Sequence, residues 1–528
     1  MNNNIETVDS EQFIQTSITQ SSNVKSNQSK KKSKKSKKSE SYIKGHYKVL
    51  KSQYDLISNM MWWANEDSCI FVAHIISCQL YKYREGDEGY VPIPYSVRSI
   101  FCKDAEIEKL IESEIIERLI IDETTEHTYS IEHGICTSYK VADNIIDEFV
   151  KLENMTAAEY IKAAKVNLFT GKRCRAINKS TLTDHTNNSY PKLIVNAIKC
   201  IKNCTFELAP VEKHINNLKH NMIGAEFVHG PASSEFKTAR GQFYNDNACL
   251  KNALNQNAVE ILPGFYTFIP NYSVSDTGRI HTFMQNASRE MKEAAFSNVE
   301  NLKNYDLRSS QAIGLIQQFE LAGLDTTWLE NYKNDKQAKY RFAAQVGVSV
   351  DTWKKCLCAL LMGGYLPKKA SETSSAKITE YMMDEADGDF IKAVEYQSNF
   401  ATVVKPLKVE IDKWHNWLLD TYVTKIGNYA AGKLYLSNPT GKRICIDDLP
   451  SGNKIWQRKA KVAAFVLQGQ EAAFIHHLTV LSLQYDYKVI QNEHDGVVTV
   501  GEIPSEAVQQ AAQYAGMEYA ALEEKEFA

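Results

Sequence analysis

Two carboxylates stand out by their setting. Asp495 lies within Tyr487-Lys488-Val489-Ile490-Gln491-Asn492-Glu493-His494-Asp495-Gly496-Val497-Val498-Thr499-Val500, two short β-branched runs that read as a hairpin with Gly496 as a permissive turn residue. Such a bend holds an acid on a rigid, exposed tip, although Asp-Gly is also among the commonest turn dipeptides, and an ordinary surface hairpin would account for it. Asp306 lies far upstream, in Tyr305-Asp306-Leu307-Arg308-Ser309-Ser310-Gln311, where a short segment ends and the apolar helical run Ala312-Ile313-Gly314-Leu315-Ile316 begins. A carboxylate at a strand-to-helix junction can point into a cleft. Side by side on one sheet the two would repel each other unless a divalent cation sat between them, and oxygen-only ligands favour magnesium. A pair of such ions would stabilise the attacking and leaving oxygens of phosphoryl transfer.

The chain that must position them has 528 residues, enough for several domains, and its 43% hydrophobic and 24% charged composition is globular. No apolar run is long enough to span a bilayer, and the polar N-terminus does not read as a secretory signal, so an intracellular protein is expected (cytoplasm, or the nucleus or viral factory of a host). The eleven cysteines lack zinc spacing and read as reduced thiols. The net charge of −3 hides a Lys-rich arm over residues 1–40, with eight lysines against four acids, which is expected to be disordered. That arm suits phosphate contacts, solubility or localisation equally well.

Residues 41–153 are expected to form a small module: helices over 41–82, near Ser96–Cys102 and over Ala105–Leu119, a strand pair at Leu119–Asp122 and Thr128–Ile131, and a helix from Asn144 to Leu152. Helix, helix, hairpin resembles a winged helix-turn-helix, which lays a helix in a DNA groove. The acids Glu106, Glu108, Glu112, Glu114 and Glu117 on the second helix suit a protein contact better. Residues 154–262 read as mostly helical, with basic positions including Lys162, Lys165, Lys172, Arg173, Arg175 and Lys179.

Further motifs join the two acids in a specific order: Thr277-Gly278-Arg279, Gln285-Asn286, the Asp306 segment, a Lys-bearing helix ending in glycine at Val350–Gly364, Asn438-Pro439-Thr440-Gly441-Lys442-Arg443, Gln468-Gly469, and His494-Asp495. This order resembles the palm and fingers of family A (DNA polymerase I-like) DNA polymerases and their single-subunit phage-type RNA polymerase relatives, over about residues 260–503. The resemblance is to a small viral or mobile-element type without an exonuclease domain, hence without proofreading. It implies an α+β right-hand architecture with a thumb-like helical region (154–262), the first part of the palm (263–335), fingers (336–435) and the second part of the palm (436–528), following the arm (1–40) and the winged-helix-like module (41–153).

Carried over position by position, the resemblance makes Asp306, the carbonyl of Leu307 and Asp495 the ligands of two Mg2+ ions, with Mn2+ an acceptable substitute. His494, Arg279, Gln468, Lys442 and Arg443 would contact primer and template. Lys354 would serve the triphosphate as a catalytic lysine, with Met362 in the place of the family tyrosine and Gly363 in that of its glycine; taking Lys355 instead puts glycines in both. The expected partners are primer-template DNA, dNTPs and a helicase or other replication proteins, with no membrane. An RNA-synthesising relative (primase or transcriptase) and a catalytically degenerate DNA-binding protein are the competing readings.

The sequence departs from the family pattern at four positions. Val350 replaces the arginine that precedes the fingers lysine, so triphosphate binding must draw on Lys355, Arg341 or another residue. Met362 replaces the tyrosine, and Gly496 replaces the glutamate after His-Asp. Gln311 stands where DNA polymerases carry a glutamate against the ribose 2′-hydroxyl and RNA polymerases a glycine, which keeps the bulk without the charge and favours deoxynucleotides. His476 and His477 lie among Phe474, Ile475 and Leu478 and read as packing or surface histidines rather than ligands.

Overall fold

The computed structural model describes residues 48–526 apart from 82–89, 94–97, 99–101, 120–136, 153–154, 173–189, 231–232, 257, 269, 271 and 368–375. All of them belong to one compact unit, His46–Ala528. The arm over 1–40 and the basic positions Arg173, Arg175 and Lys179 lie outside the described residues.

The sheet that carries both acids has four antiparallel strands. In chain order they are β1 (Leu302–Leu307), β2 (Lys488–Asn492), β3 (Gly496–Val500) and β4 (Leu522–Glu524), and in space they run β2-β3-β1-β4. Alternation along β1 does the sorting. Tyr305 and Leu307 turn into a core with Phe474, Ile475, Leu478, Val489, Val497 and Ala511, which leaves Asp306 on the opposite face. Two helices supply that core, one at Ile455–Leu481 and one at Ser505–Ala515. The first of them is buried on nearly every side from Val462 onward, as its run of apolar and small residues requires.

In chain order the helices that bear on the site are α1 (Ser310–Ala322), α2 (Val350–Leu361), α3 (Lys405–Trp417) and α4 (Ile455–Leu481). Their inner faces share one core, in which Phe319 of α1, Trp353 and Leu360 of α2, Trp414 of α3 and Val462 of α4 are all fully buried. Ser349 caps α2 by accepting the Thr352 N–H, and Glu385 in turn accepts from the Ser349 and Thr352 hydroxyls. A third core joins a long helical hairpin, Leu208–His229 and Ser234–Asn255, to the helix Arg289–Phe296 through Val211, Leu250, Met291 and Phe296.

Toward the N-terminus, three short strands pair in the order Val91–Pro92, Ser138–Val141, Ile116–Arg118 beside the helices Glu66–Tyr81, Asp104–Glu112 and Asp143–Lys151. Here the expected boundaries shift. The helix expected over Ala105–Leu119 stops at Glu112, because the chain turns at Ser113 and Glu114 (φ 54°) and re-emerges as a strand. The expected helix over 41–82 is preceded by a strand at Lys48–Leu50 and broken between Met60 and Glu66. The expected strand pair at 119–131 falls almost wholly outside the described residues, as does most of Ser96–Cys102. The region read as mostly helical also holds strands at Lys165–Asn167, Cys204–Glu207 and Val259–Leu262. No helix among the described residues is long and apolar enough to cross a membrane.

Candidate active site

Asp306 is the penultimate residue of β1, and Asp495 sits in the turn immediately before β3. The register pairs Asp306 with Gly496, and the Leu307 N–H donates to the Asp495 carbonyl at 2.6 Å. The two acids are therefore held on neighbouring strands by backbone bonds. Gly496 is a glycine for a different reason than turn formation. A Cβ there would stand 2.3 Å from the Tyr305 carbonyl oxygen and 2.6 Å from a carboxylate oxygen of Asp306, so only glycine lets Asp306 approach. Just past Asp306, Ser309 adopts a left-handed conformation (φ 49°, ψ 40°) to start α1, the kind of backbone strain that concentrates at functional sites.

Burial pushes the Asp495 carboxyl above its usual range, and the negative charge of Asp306 pushes it further. Lys525 answers that charge, with its ammonium on Asp306 Oδ2. A third acid, Glu493, lies close enough to feel both aspartates; burial raises it, and Lys292 pairs with it at 2.8 Å. Among the described residues no group of three or more His, Cys, Asp or Glu side chains stands in a metal-holding arrangement. The available donors are thus a mutually repelling pair of carboxylates and backbone carbonyls. An oxygen-only set of that kind fits a hard divalent cation and would not suit zinc.

Around the pair, segments far apart in sequence interlock. Arg279 forms an ion pair with Glu471 of α4, whose side chain is only 1% exposed and which Ser310 at the head of α1 also bonds. The Asn438 side chain donates to the Thr277 carbonyl at 2.8 Å, and His476 Nε2 bonds the Gly278 carbonyl at 2.9 Å. Gln285 donates to the carbonyls of Ile280 and Asn492 at 2.9 and 2.8 Å, tying the hairpin to the Thr-Gly-Arg segment. His494 packs edge-on against His281 at 4.6 Å between ring centroids and is pushed down to about 4, first by burial and then by His281, Arg279 and Lys292. His476 is buried packing, in keeping with its apolar neighbours; His477 packs on Tyr514.

The α2 helix presents one face to this cluster. Burial raises the Cys358 thiol, and the charges acting on it are those of Glu471, Arg279 and Asp495. Lys354 lies one turn before Cys358 and Met362 one turn after, so all three share that face. Lys355 turns elsewhere and pairs with Asp351 at 2.8 Å, while Lys354 forms no ion pair among the described residues. Gly363 (φ 81°) ends the helix where a Cβ would meet the Ala460 backbone at 2.8 Å. Gln311 follows Ser310 in the first turn of α1, and Gln468 precedes Glu471 by three positions on α4; both are half-buried.

Arg341, Lys442 and Arg443 are engaged with residues away from the pair. Arg341 is held by Asp335 at 2.5 Å. Lys442 lies over the Tyr190 ring at 5.2 Å and Arg443 over the Tyr435 ring at 4.9 Å. Conversely, Glu471, Lys292 and Lys525 touch the site without having been singled out in the sequence. Glu471 alone carried a signal, a lone acid before the apolar run Ala472-Ala473-Phe474-Ile475.

No protein-family model matches the chain, and no curated protein matches it. Among solved structures, the "POL domain of Pol1 from M. smegmatis complex with DNA primer-template and dNTP" is similar over 66% of this chain and 71% of that one, at 10% identity and a TM-score of 0.39.

Proposed function

We propose that the protein is a template-directed nucleotidyltransferase, a DNA polymerase that extends a primer 3′ end with dNTPs. The observation that carries this reading is the convergence of Asp306 and Asp495 on neighbouring strands, with the charge of Arg279 acting on Asp495 and Cys358 of α2 near enough to feel it. Phosphoryl transfer needs little covalent chemistry from the protein, and what it does need is positioning and charge. Asp306, Asp495 and the Leu307 carbonyl would hold Mg2+, or Mn2+ in its place. When bound, the ions supply positive charge to the attacking and leaving oxygens. Lys354 binds the triphosphate and stands ready to protonate the leaving pyrophosphate. Met362 and Gly363 face the nascent base pair, and Gln311 lies against the ribose. Arg279, His494 and Gln468 hold the primer end and minor groove, and Lys442 and Arg443 hold backbone phosphates. Glu471 is a positioning residue, because it touches Arg279 rather than substrate.

The second reading, RNA synthesis, draws on Gln311, which lacks the charge of the usual glutamate. Primer extension with Mg2+ tests both. Wild-type protein should incorporate dNTPs in preference to rNTPs, and Asp306→Asn and Asp495→Asn should abolish extension while still shifting primer-template DNA. Preferred rNTP incorporation favours the second reading. DNA binding with no extension by the wild type would contradict both.

A further inference from the structure

The strand β4 brings a cation of the chain's own to the carboxylate pair. It pairs with β1 in the register Tyr305↔Glu524, Asp306↔Glu523 and Leu307↔Leu522, and the Lys525 N–H donates to the Asn304 carbonyl at 2.8 Å. These backbone bonds fix the point from which the Lys525 side chain departs. Its ammonium bonds Asp306 Oδ2. Its charge reaches Asp495 as well, opposing the upward push on that carboxyl. Anchoring of β4 does not require this contact, because Lys303 already ties the strand down through Glu524 at 2.8 Å. The Lys525–Asp306 pair is also partly open to water, with side-chain exposures of 41% and 30%. An exposed pair of this kind is weak and exchangeable, so a divalent ion with two charges outcompetes a single ammonium for the same oxygen.

We propose that Lys525 is an internal counter-cation of the Asp306/Asp495 pair: it bonds Asp306 Oδ2 and competes with a divalent ion for that oxygen. Lys525 thereby sets the concentration of divalent cation at which the site fills. The inference rests on reading the aspartates as the metal-binding pair.

The test uses the full chain and Mn2+ alone, following the loss of the free Mn2+ paramagnetic resonance signal on binding. Lys525→Met is expected to bind Mn2+ about fivefold more tightly than the wild type, since a partly exposed ion pair no longer competes. Lys525→Gln should behave like Lys525→Met, and Lys525→Arg, which keeps the charge, should stay with the wild type. Asp306→Asn should lose the site. If Lys525→Met and Lys525→Gln bind no more tightly than the wild type while Asp306→Asn still loses binding, the counter-cation role is overturned and the carboxylate reading stands. If Asp306→Asn binds as well as the wild type, the carboxylate reading itself fails.

Discussion

Arg279 and Glu471, 192 positions apart, form an ion pair whose acid is almost fully buried, and it joins the turn after Ser275 to the middle of the longest described helix. The Arg279 Nε and one Glu471 oxygen have no hydrogen-bond partner, so each charge depends heavily on the other. Removing one partner strands the other, a loss of about 3–5 kcal/mol for a buried pair. Glu471→Ala should therefore lower the melting temperature sharply. The double variant Arg279→Met/Glu471→Leu should recover much of that stability without recovering primer extension, as a double-mutant cycle in urea would show. If extension returned with stability, Arg279 would have no role beyond packing.

Gly496→Ala should be damaging where Gly314→Ala is not. The first places a methyl 2.3 Å from a backbone carbonyl and 2.6 Å from the Asp306 carboxylate; the second meets nothing nearer than Leu467 Cδ2 at 3.4 Å. Gly496→Ala is expected to cost about 2–4 kcal/mol and to displace Asp306. Gly314→Ala, within α1, should be neutral or gain up to about 1 kcal/mol from helix propensity. Thermal melting and extension rates of the two variants check this directly.

Much of this was legible in the sequence. The hairpin and the strand-to-helix junction at Asp306 announce themselves through turn residues and local pattern, the α2 helix through the family resemblance, and the structure has them at Lys488–Val500, Leu302–Ala322 and Val350–Leu361. What local pattern could not show is pairing across the chain. Gly496 reads as a turn residue until the register puts Asp306 against it. Spacing favours Lys354 over Lys355 only through Met362 and Gly363, and the pairing of Lys355 with Asp351 shows only in the structure. Lys525 gave no signal, since its meaning comes from β4 lying beside β1.

The difference between the two lysines gives a further expectation. Lys354→Ala should lower kcat or raise the KM for dNTP by at least about tenfold, as expected when a charge-assisted triphosphate contact is lost. Lys355→Ala should have a much smaller effect, because Lys355 departs from α2 beside Asp351, off the Lys354–Cys358–Met362 row. Steady-state kinetics on a primed template distinguishes the two. A larger effect at Lys355 would make Lys355 the triphosphate lysine in place of Lys354.

Stability should fall as pH drops from about 6.5 toward 4. His415, His476 and His477 are each pushed down to about 4 by burial. Between their ordinary value and 4 the unfolded chain binds protons that the folded chain refuses, so acidification favours unfolding. For the fully buried His476 the effect is on the order of 3 kcal/mol once pH falls below 4. Urea melts at pH 7.5, 6.0 and 5.0 should show this slope. His476→Gln, which can still donate to the Gly278 carbonyl, should flatten it. An unchanged slope in that variant would place the acid sensitivity elsewhere.

The most direct measurement is anomalous diffraction from crystals grown with primer-template, an incoming nucleotide and Mn2+. Two peaks about 4 Å apart, both within bonding distance of the Asp306 and Asp495 carboxylates, are predicted. Manganese bound elsewhere, or a nucleotide ordered with Asp306 still on Lys525 and no peak between the acids, would contradict the account.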